Sequence, residues 1–454
     1  MLALATALSL VLSLTQSLAQ TDSLERNRVV GPLGARLDSQ LARFAEYEFW
    51  GTVLVVRDGQ VVLLKGYGLA DAGRGIRNTA ATRFEMNSMT KMFTGAAVLQ
   101  LDAAGRLHVS DPVDRYLGPF PTGKQGATIE QLARHTAGLV VAGTALADET
   151  RDAFVRDVKR TPRESPPGQK YRYTNAGFSL LAAIIEVASG ESFEDYLLRH
   201  LFTPAGMRTA TFRDRLPRED SLFARGHVGT AAGLEPGPPD PYVWGTRGSG
   251  GVWTTVGDIY RWLLEVEGGT ILPEAQRRLL FSPPPPPALE AYGWHVESTP
   301  LGVPLIQKGG GGDDFASHVL YYPRDRVFIV WATNNLRQRW RQALNRSLPG
   351  IIFGDTVTSL PPVVSVPPPV LQPRAGRYVS GRDTLHLHAG PGYLYADVNR
   401  LAVPPNAMFF PQDPLHFTAF DPRSGQQTRL RFGQGNDRSV TVELSDGRRV
   451  VARL

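Results

Sequence analysis

Apolar positions along this chain change period several times, and each change predicts an element. Residues 33–48 follow helical spacing. Thr52-Val53-Leu54-Val55-Val56 and Gln60-Val61-Val62-Leu63-Leu64 flank Arg57-Asp58-Gly59, and an Asp-Gly turn between two β-rich runs predicts a hairpin. From Met89 the period is helical again, with Met92, Ala96 and Leu99 on one stripe and Gly105 as C-cap. Further helices are expected over 128–134 and over 178–188, the latter stopped by Gly190. Strands are expected over 317–322 and 326–335. Beyond Arg374 the pattern becomes short alternating strands: Leu385 and Leu387 with His386 and His388, Leu430 and Phe432 with Arg429 and Arg431, then Val440, Val442 and Leu444. About six to eight such strands predict a small antiparallel barrel or sandwich. Prolines at 361, 362, 367–369 and 373 predict a stiff linker, and the run at 283–287 an exposed extended insertion.

At 454 residues the chain exceeds one typical domain. The expected division is a leader at 1–19, a folded unit at 20–355, a linker at 356–373 and an all-β unit at 374–454. A composition of 42% hydrophobic and 20% charged residues suits a sizeable core. The formal charge of +6 is modest and its lysines and arginines are scattered, which excludes a nucleic-acid footprint. Residues 1–19 carry no charge and end in Ser17-Leu18-Ala19, a small–spacer–small pattern that predicts a signal peptide cleaved near Ala19. Its early residues lack Lys and Arg, so an uncleaved membrane anchor is the alternative. The absence of cysteine rules out disulfides, thiolate metal sites and a cysteine nucleophile. Export and missing thiols together suit a periplasmic or secreted location.

Three short motifs carry chemistry. Ser88 falls at or beside a helix N-terminus with Lys91 one turn on, so hydroxyl and amine come within hydrogen-bonding reach. A serine needs such a base to become a nucleophile, and free N–H groups at the helix start favour developing negative charge. Alone, the pair is a weak motif and reads better as an N-cap and a first-turn lysine. Tyr173 and Asn175 stand two apart in a turn, where both can face one cleft or simply pack. Lys308, at a strand edge before Gly309-Gly310-Gly311-Gly312, offers a cation and open N–H groups to an anionic substrate. Other signals carry less. Residues 118–125 nearly match a phosphate loop but end in Gln125. Glycines at 248, 250 and 251 permit close approach of a ligand or of packed neighbours. His135, at a short helix's end, reads as structural. His386 and His388 share a strand face, but two ligands are too few for a metal site, so none is expected.

In chain order, Ser88-x-x-Lys91, Tyr173-x-Asn175 and Lys308-Gly309-Gly310 resemble the motif set of serine β-lactamases and penicillin-binding proteins. The similarity is to the branch holding class C β-lactamases, D,D-carboxypeptidases, D-aminopeptidases and related esterases. Val53 to Asp71, His135 to Leu139, Pro204 to Met207 and Gly250 to Thr255 look like further landmarks, and the resemblance covers roughly residues 33–353. It implies an α/β (α+β) sandwich, with a central antiparallel sheet, helices on its faces and a helical lobe between the flanks of the second and third motifs. The C-terminal unit resembles a lipocalin-like domain. The resemblance also implies roles. Ser88 forms an acyl-enzyme, Lys91 and Tyr173 share the base function in an undecided division, and Asn175 holds the substrate amide. Lys308 with Gly310 recognises a substrate carboxylate, and the N–H groups of Ser88 and Gly311 form the oxyanion hole.

Two departures stand out. Gly309 replaces the threonine of class C enzymes, removing a hydroxyl. Asp314 replaces the usual glycine before Phe315, where an acid would weaken anion binding or face solvent. The expectation is an exported, cofactor-free serine hydrolase acting on amide bonds of β-lactams or D-amino-acid peptides. Its expected partners are a small-molecule or peptide substrate and the cell wall, not nucleic acid. The alternatives are a carboxylesterase and a penicillin-binding sensor that acylates without turnover.

Overall fold

A computed structural model describes residues 22–121, 126–140, 150–216, 220–230, 233–237, 242–298, 304–336, 340–355, 357, 359–399, 403–404, 407–435 and 437–454. The expected leader and residues 122–125 of the near-match to a phosphate loop lie outside them.

Eight strands form one antiparallel sheet: β1 (Arg28–Val29), β2 (Gly51–Arg57), β3 (Gln60–Tyr67), β4 (Glu290–Ala291), β5 (Trp294–Ser298), β6 (Pro304–Gly311), β7 (Ala316–Tyr322) and β8 (Val327–Thr333). Their spatial order is β1-β3-β2-β8-β7-β6-β5-β4, so the first hairpin joins the last strand, with Gly51 opposite Thr333. Asp58 and Gly59 take φ of 52° and 75°, the positive pair that a two-residue hairpin turn demands. Alternation splits the apolar runs of β2 and β8 between two cores. Leu54, Val56, Val330 and Ala332 face one; Val53, Val55, Ile329 and Trp331 face the other.

Four of the longer helices are α1 (Gly31–Glu46), α2 (Thr90–Ala103), α3 (Asn175–Ser189) and α4 (Arg341–Phe353). The first core is covered by α2, α3 and the helix Val256–Gly268, the second by α1 and α4. The helical lobe begins before the second motif, with Ile129–Ala133 closed by a capping box from Thr128 and Gln131, and runs on through Leu197–Phe202. A single apolar stripe was expected on α2, yet eleven of its fourteen residues are buried. The cause is a crossing at backbone distance. A Cβ on Gly95 would stand 1.9 Å from the Tyr292 carbonyl oxygen, and one on Gly293 2.4 Å from that of Lys91. Among the described residues no single helix is long and apolar enough to cross a membrane.

The C-terminal unit is a closed antiparallel barrel of eight strands: β9 (Gly376–Ser380), β10 (Asp383–Ala389), β11 (Leu394–Asn399), β12 (Met408–Pro411), β13 (His416–Phe420), β14 (Gln427–Phe432), β15 (Ser439–Glu443) and β16 (Arg449–Arg453). Closure leaves no unpaired edge. The proline-rich segment does not hang free. Tyr47 donates its hydroxyl hydrogen to the Pro361 carbonyl (3.2 Å), and the Val363 N–H donates to Glu46 Oε2 (2.8 Å). Phe410 and Phe420 of the barrel pack on Tyr47 and Trp340, with ring centroids 5.0 and 5.8 Å apart. The second core thus continues from the sheet into the barrel.

Candidate active site

Ser88 lies in a 3-10 turn, Asn87–Met89, that runs straight into α2. Asn87 turns the chain there with φ 49°, a left-handed conformation asparagine tolerates, and its Nδ2 donates to the Phe315 carbonyl at 3.2 Å. One turn on, Lys91 is fully buried. Its Nζ lies 3.0 Å from Ser88 Oγ, 2.8 Å from Asn175 Oδ1 and 3.0 Å from the Ser249 carbonyl oxygen. The Tyr173 hydroxyl is also 3.0 Å from Ser88 Oγ. Asn175 opens α3, so two helix starts and one turn bring these four side chains together. The glycine-rich segment makes its close approach to packed neighbours: the Gly248 carbonyl takes the Thr94 hydroxyl (2.7 Å), and the Ser249 carbonyl takes the Lys91 amine.

Burial pushes the Lys91 amine well below its ordinary range, and repulsion from Lys308 pushes the same way, against a pull upward from Glu290. The Asn175 and Ser249 oxygens can only accept. They therefore take two N–H groups of the amine and hold its nitrogen against Ser88 Oγ. Burial raises the Tyr173 phenol, and Glu290 adds to this, while its bond to Ser88 opposes. The ring is 40% exposed to the cleft, so solvent tempers the shift, but its direction keeps the phenol protonated. Tyr173 O–H and the Lys91 amine thus both donate to Ser88 Oγ. Both the amine and the phenol are placed to exchange a proton with Ser88 Oγ.

Lys308, on β6, is 2% exposed and its Nζ stands 2.6 Å from Glu290 Oε2, itself 2% exposed. Glu290 Oε1 is 2.9 Å from His295 Nε2, and Oε2 is 3.5 Å from His135 Nε2. Burial alone would raise the Glu290 carboxyl, but Lys308 and the two histidines hold it well below the usual carboxylate range. Lys308, assigned to a substrate carboxylate from sequence, therefore already has a charged partner. Sequence reasoning missed Glu290, a lone acid in a two-residue strand with no motif around it.

His135 keeps a structural place. Its Nδ1 accepts the Thr174 N–H at 3.2 Å and its ring lies 4.5 Å from that of Tyr173, fixing the turn that carries the phenol. Burial holds its imidazole neutral, with a pKa lowered to about 4.

The two departures from the family pattern have physical accounts. A Cβ on Gly309 would meet His318 Nδ1 at 3.0 Å and Arg341 Nη2 at 3.2 Å, so these side chains crowd the space of the missing threonine. Arg341, the first residue of α4, donates to the Gly310 carbonyl (2.9 Å). Asp314 does not face solvent. It is 8% exposed and packs on Gly226 and Gly237, where a Cβ would come within 2.1 and 2.5 Å of its Oδ2. Gly310 admits no side chain, since a Cβ would stand 2.0 Å from the Met86 carbonyl oxygen.

The cleft above these groups holds about 640 Å³ and is lined by Ser88, Tyr173, Glu290, Lys308, Gly311 and Arg341. A second depression, of about 680 Å³, lies on the barrel near Arg429, Arg431 and Glu443, away from Ser88 and Lys91. Residues 41–347 match the family profile described as Beta-lactamase. The chain belongs to the beta-lactamase family. That family includes serine hydrolases. The chain is 32% identical over 238 residues to PbpX of Bacillus subtilis strain 168, which bears a penicillin-binding protein's name; the match covers 52% of this chain and 60% of that protein. The teichoic acid D-alanine hydrolase of Staphylococcus aureus is 26% identical over 292 residues, covering 63% of this chain and 70% of that one. The fold is similar to that of an octameric penicillin-binding protein homologue from Pyrococcus abyssi, with TM-score 0.64 and 20% identity. That likeness covers 93% of this chain and 100% of the other.

Proposed function

We propose that this family member is a serine hydrolase that forms an acyl-enzyme on Ser88 and cleaves amide bonds of β-lactams or D-amino-acid peptides. The observation that carries the reading is Ser88 Oγ lying 3.0 Å from both the buried Lys91 amine and the Tyr173 hydroxyl. Lys91 takes the Ser88 proton as Oγ attacks the carbonyl carbon. The N–H groups of Ser88 and Gly311, both at the cleft, hold the oxyanion, a role in which one donor is worth about 10²–10³ in rate. Tyr173 gives its proton to the leaving nitrogen as the C–N bond breaks, and the Lys91 ammonium restores it. Water then releases the acyl group through the same groups in reverse. Asn175 orients Lys91 and the substrate amide.

A second reading, an esterase acting on D-amino-acyl esters, is favoured by the Lys308–Glu290 pair. The pair balances the charge that would select a carboxylate. The name of the staphylococcal D-alanine hydrolase supports it. Export and cell-wall association rest on residues 1–19 and the family, and a mature N-terminus at Gln20 would support export.

Intact-protein mass spectrometry over time after mixing with a penicillin, beside Ser88→Ala, tests the first reading. A Ser88-dependent adduct that decays with product supports a β-lactamase; one that persists supports a D,D-peptidase or a sensor. With neither, the β-lactam reading falls, and D-alanyl ester turnover that survives Lys308→Ala would establish the second.

A further inference from the structure

We propose that the outer wall of the barrel carries a divalent transition-metal site of the zinc type, formed by His386, His388 and Asp397. The two histidines point outward from β10, and Asp397 from the neighbouring β11 supplies the third ligand that the sequence alone lacked. One ligand atom from each lies within 4.8 Å of both others, and among the described residues no other three such side chains converge this way. His388 Nε2 is 2.7 Å and His386 Nδ1 3.9 Å from oxygens of the Asp397 carboxylate.

A break in the ladder produces this convergence. Leu385 pairs with Asn399 and Leu387 with Ala396, so residues 397 and 398 oppose His386 alone. Such a bulge bends its strand and re-aims side chains. Here it sets Asp397 beside both imidazoles. Tyr395 stacks on the His388 ring, with centroids 4.9 Å apart and planes at 16°, and so restricts its rotation. Zinc binds imidazole nitrogen and carboxylate oxygen at about 2.0–2.2 Å, and three protein ligands leave one position for water. Binding replaces the His388–Asp397 hydrogen bond with two metal bonds and staples β10 to β11 where their ladder is interrupted. Two imidazoles with one carboxylate select zinc, copper or nickel over calcium or magnesium.

The test is calorimetric titration of the metal-stripped full chain with zinc chloride, beside His388→Ala, Asp397→Asn and His416→Ala. His416 pairs with Asp413 at 2.7 Å and has no second imidazole beside it, so it serves as the control. The expected result is one equivalent of zinc, bound at least about tenfold more weakly by His388→Ala and Asp397→Asn and unchanged in His416→Ala. Cobalt substitution should give the visible absorption of a four-coordinate ion, lost in His386→Ala. Zinc affinity equal in wild type and His388→Ala would overturn the site. That outcome includes metal held instead by His295 and Glu290.

Discussion

An amine that serves as a base near neutral pH must be kept from holding its proton, and Lys91 is discouraged by burial and by a second cation. This has a testable sign. Lys308→Ala removes the repelling charge and leaves Glu290 uncompensated, and both changes raise Lys91, so the acid limb of kcat/KM should move to higher pH. Glu290→Gln removes the one charge that favours the ammonium, so the limb should move to lower pH. Profiles on an aryl ester decide this, and a limb unmoved in both variants would mean that Lys91 is not the base. Tyr173→Phe keeps the Ser88–Lys91 contact and deletes the acid. Its kcat should fall about 10²-fold on an amide and much less on an aryl ester, whose leaving group needs no proton. The clustering of Ser88, Lys91, Tyr173 and Asn175 was legible in the sequence because a helix start fixes Ser88 against Lys91 and one turn fixes Tyr173 against Asn175. Glu290 was not, since its importance comes from Lys308 and His135, which are distant in the chain.

At the scale of elements, what the sequence displayed was periodicity, and what it hid was proximity. The Asp58-Gly59 hairpin and the alternation beyond residue 374 could be read directly, because turn chemistry and period two are local properties. The burial of α2 on every side could not, because it depends on the turn at 292–293 meeting Gly95. Gly95→Ala would drive a methyl carbon into the Tyr292 carbonyl and push β4, with Glu290, away from Lys91. Overpacking of this kind costs about 1–3 kcal/mol. Denaturant unfolding should show that loss, and the pH profile should shift as in Glu290→Gln. A variant of full stability would mean the crossing is looser than its distances indicate.

For the molecule as a whole, buried imidazoles tie stability to acidity. His135 and His318 are held neutral in the folded chain by burial, with pKa lowered to about 4 and about 3 from 6.5. Between those values and 6.5 the unfolded chain binds more protons, so stability is lost as pH falls. Glu290, whose pKa is depressed, acts in the same direction, since its contribution is present above its unfolded value near 4.5 and fades on acidification. Tm should therefore drop steadily from pH 6.5 to pH 4. His318→Asn should flatten that slope, and an unchanged slope would remove His318 from the account.

The barrel rests on Trp340, and the next residue, Arg341, reaches the cleft. Phe420→Ala should cost about 3–5 kcal/mol of barrel stability and contact, speed proteolysis near residue 360, and alter KM more than kcat. The same contact bears on timing. Closure of the barrel joins Val379 to Arg453, a pairing between residues far apart in sequence and intrinsically slow to form. Until it closes, Phe44, Tyr47 and Trp340 lack their aromatic cover. The sheet-bearing half should therefore pass through a period of exposed stickiness that ends only when the last strand arrives, and a chain stopped short of that strand would stay in it.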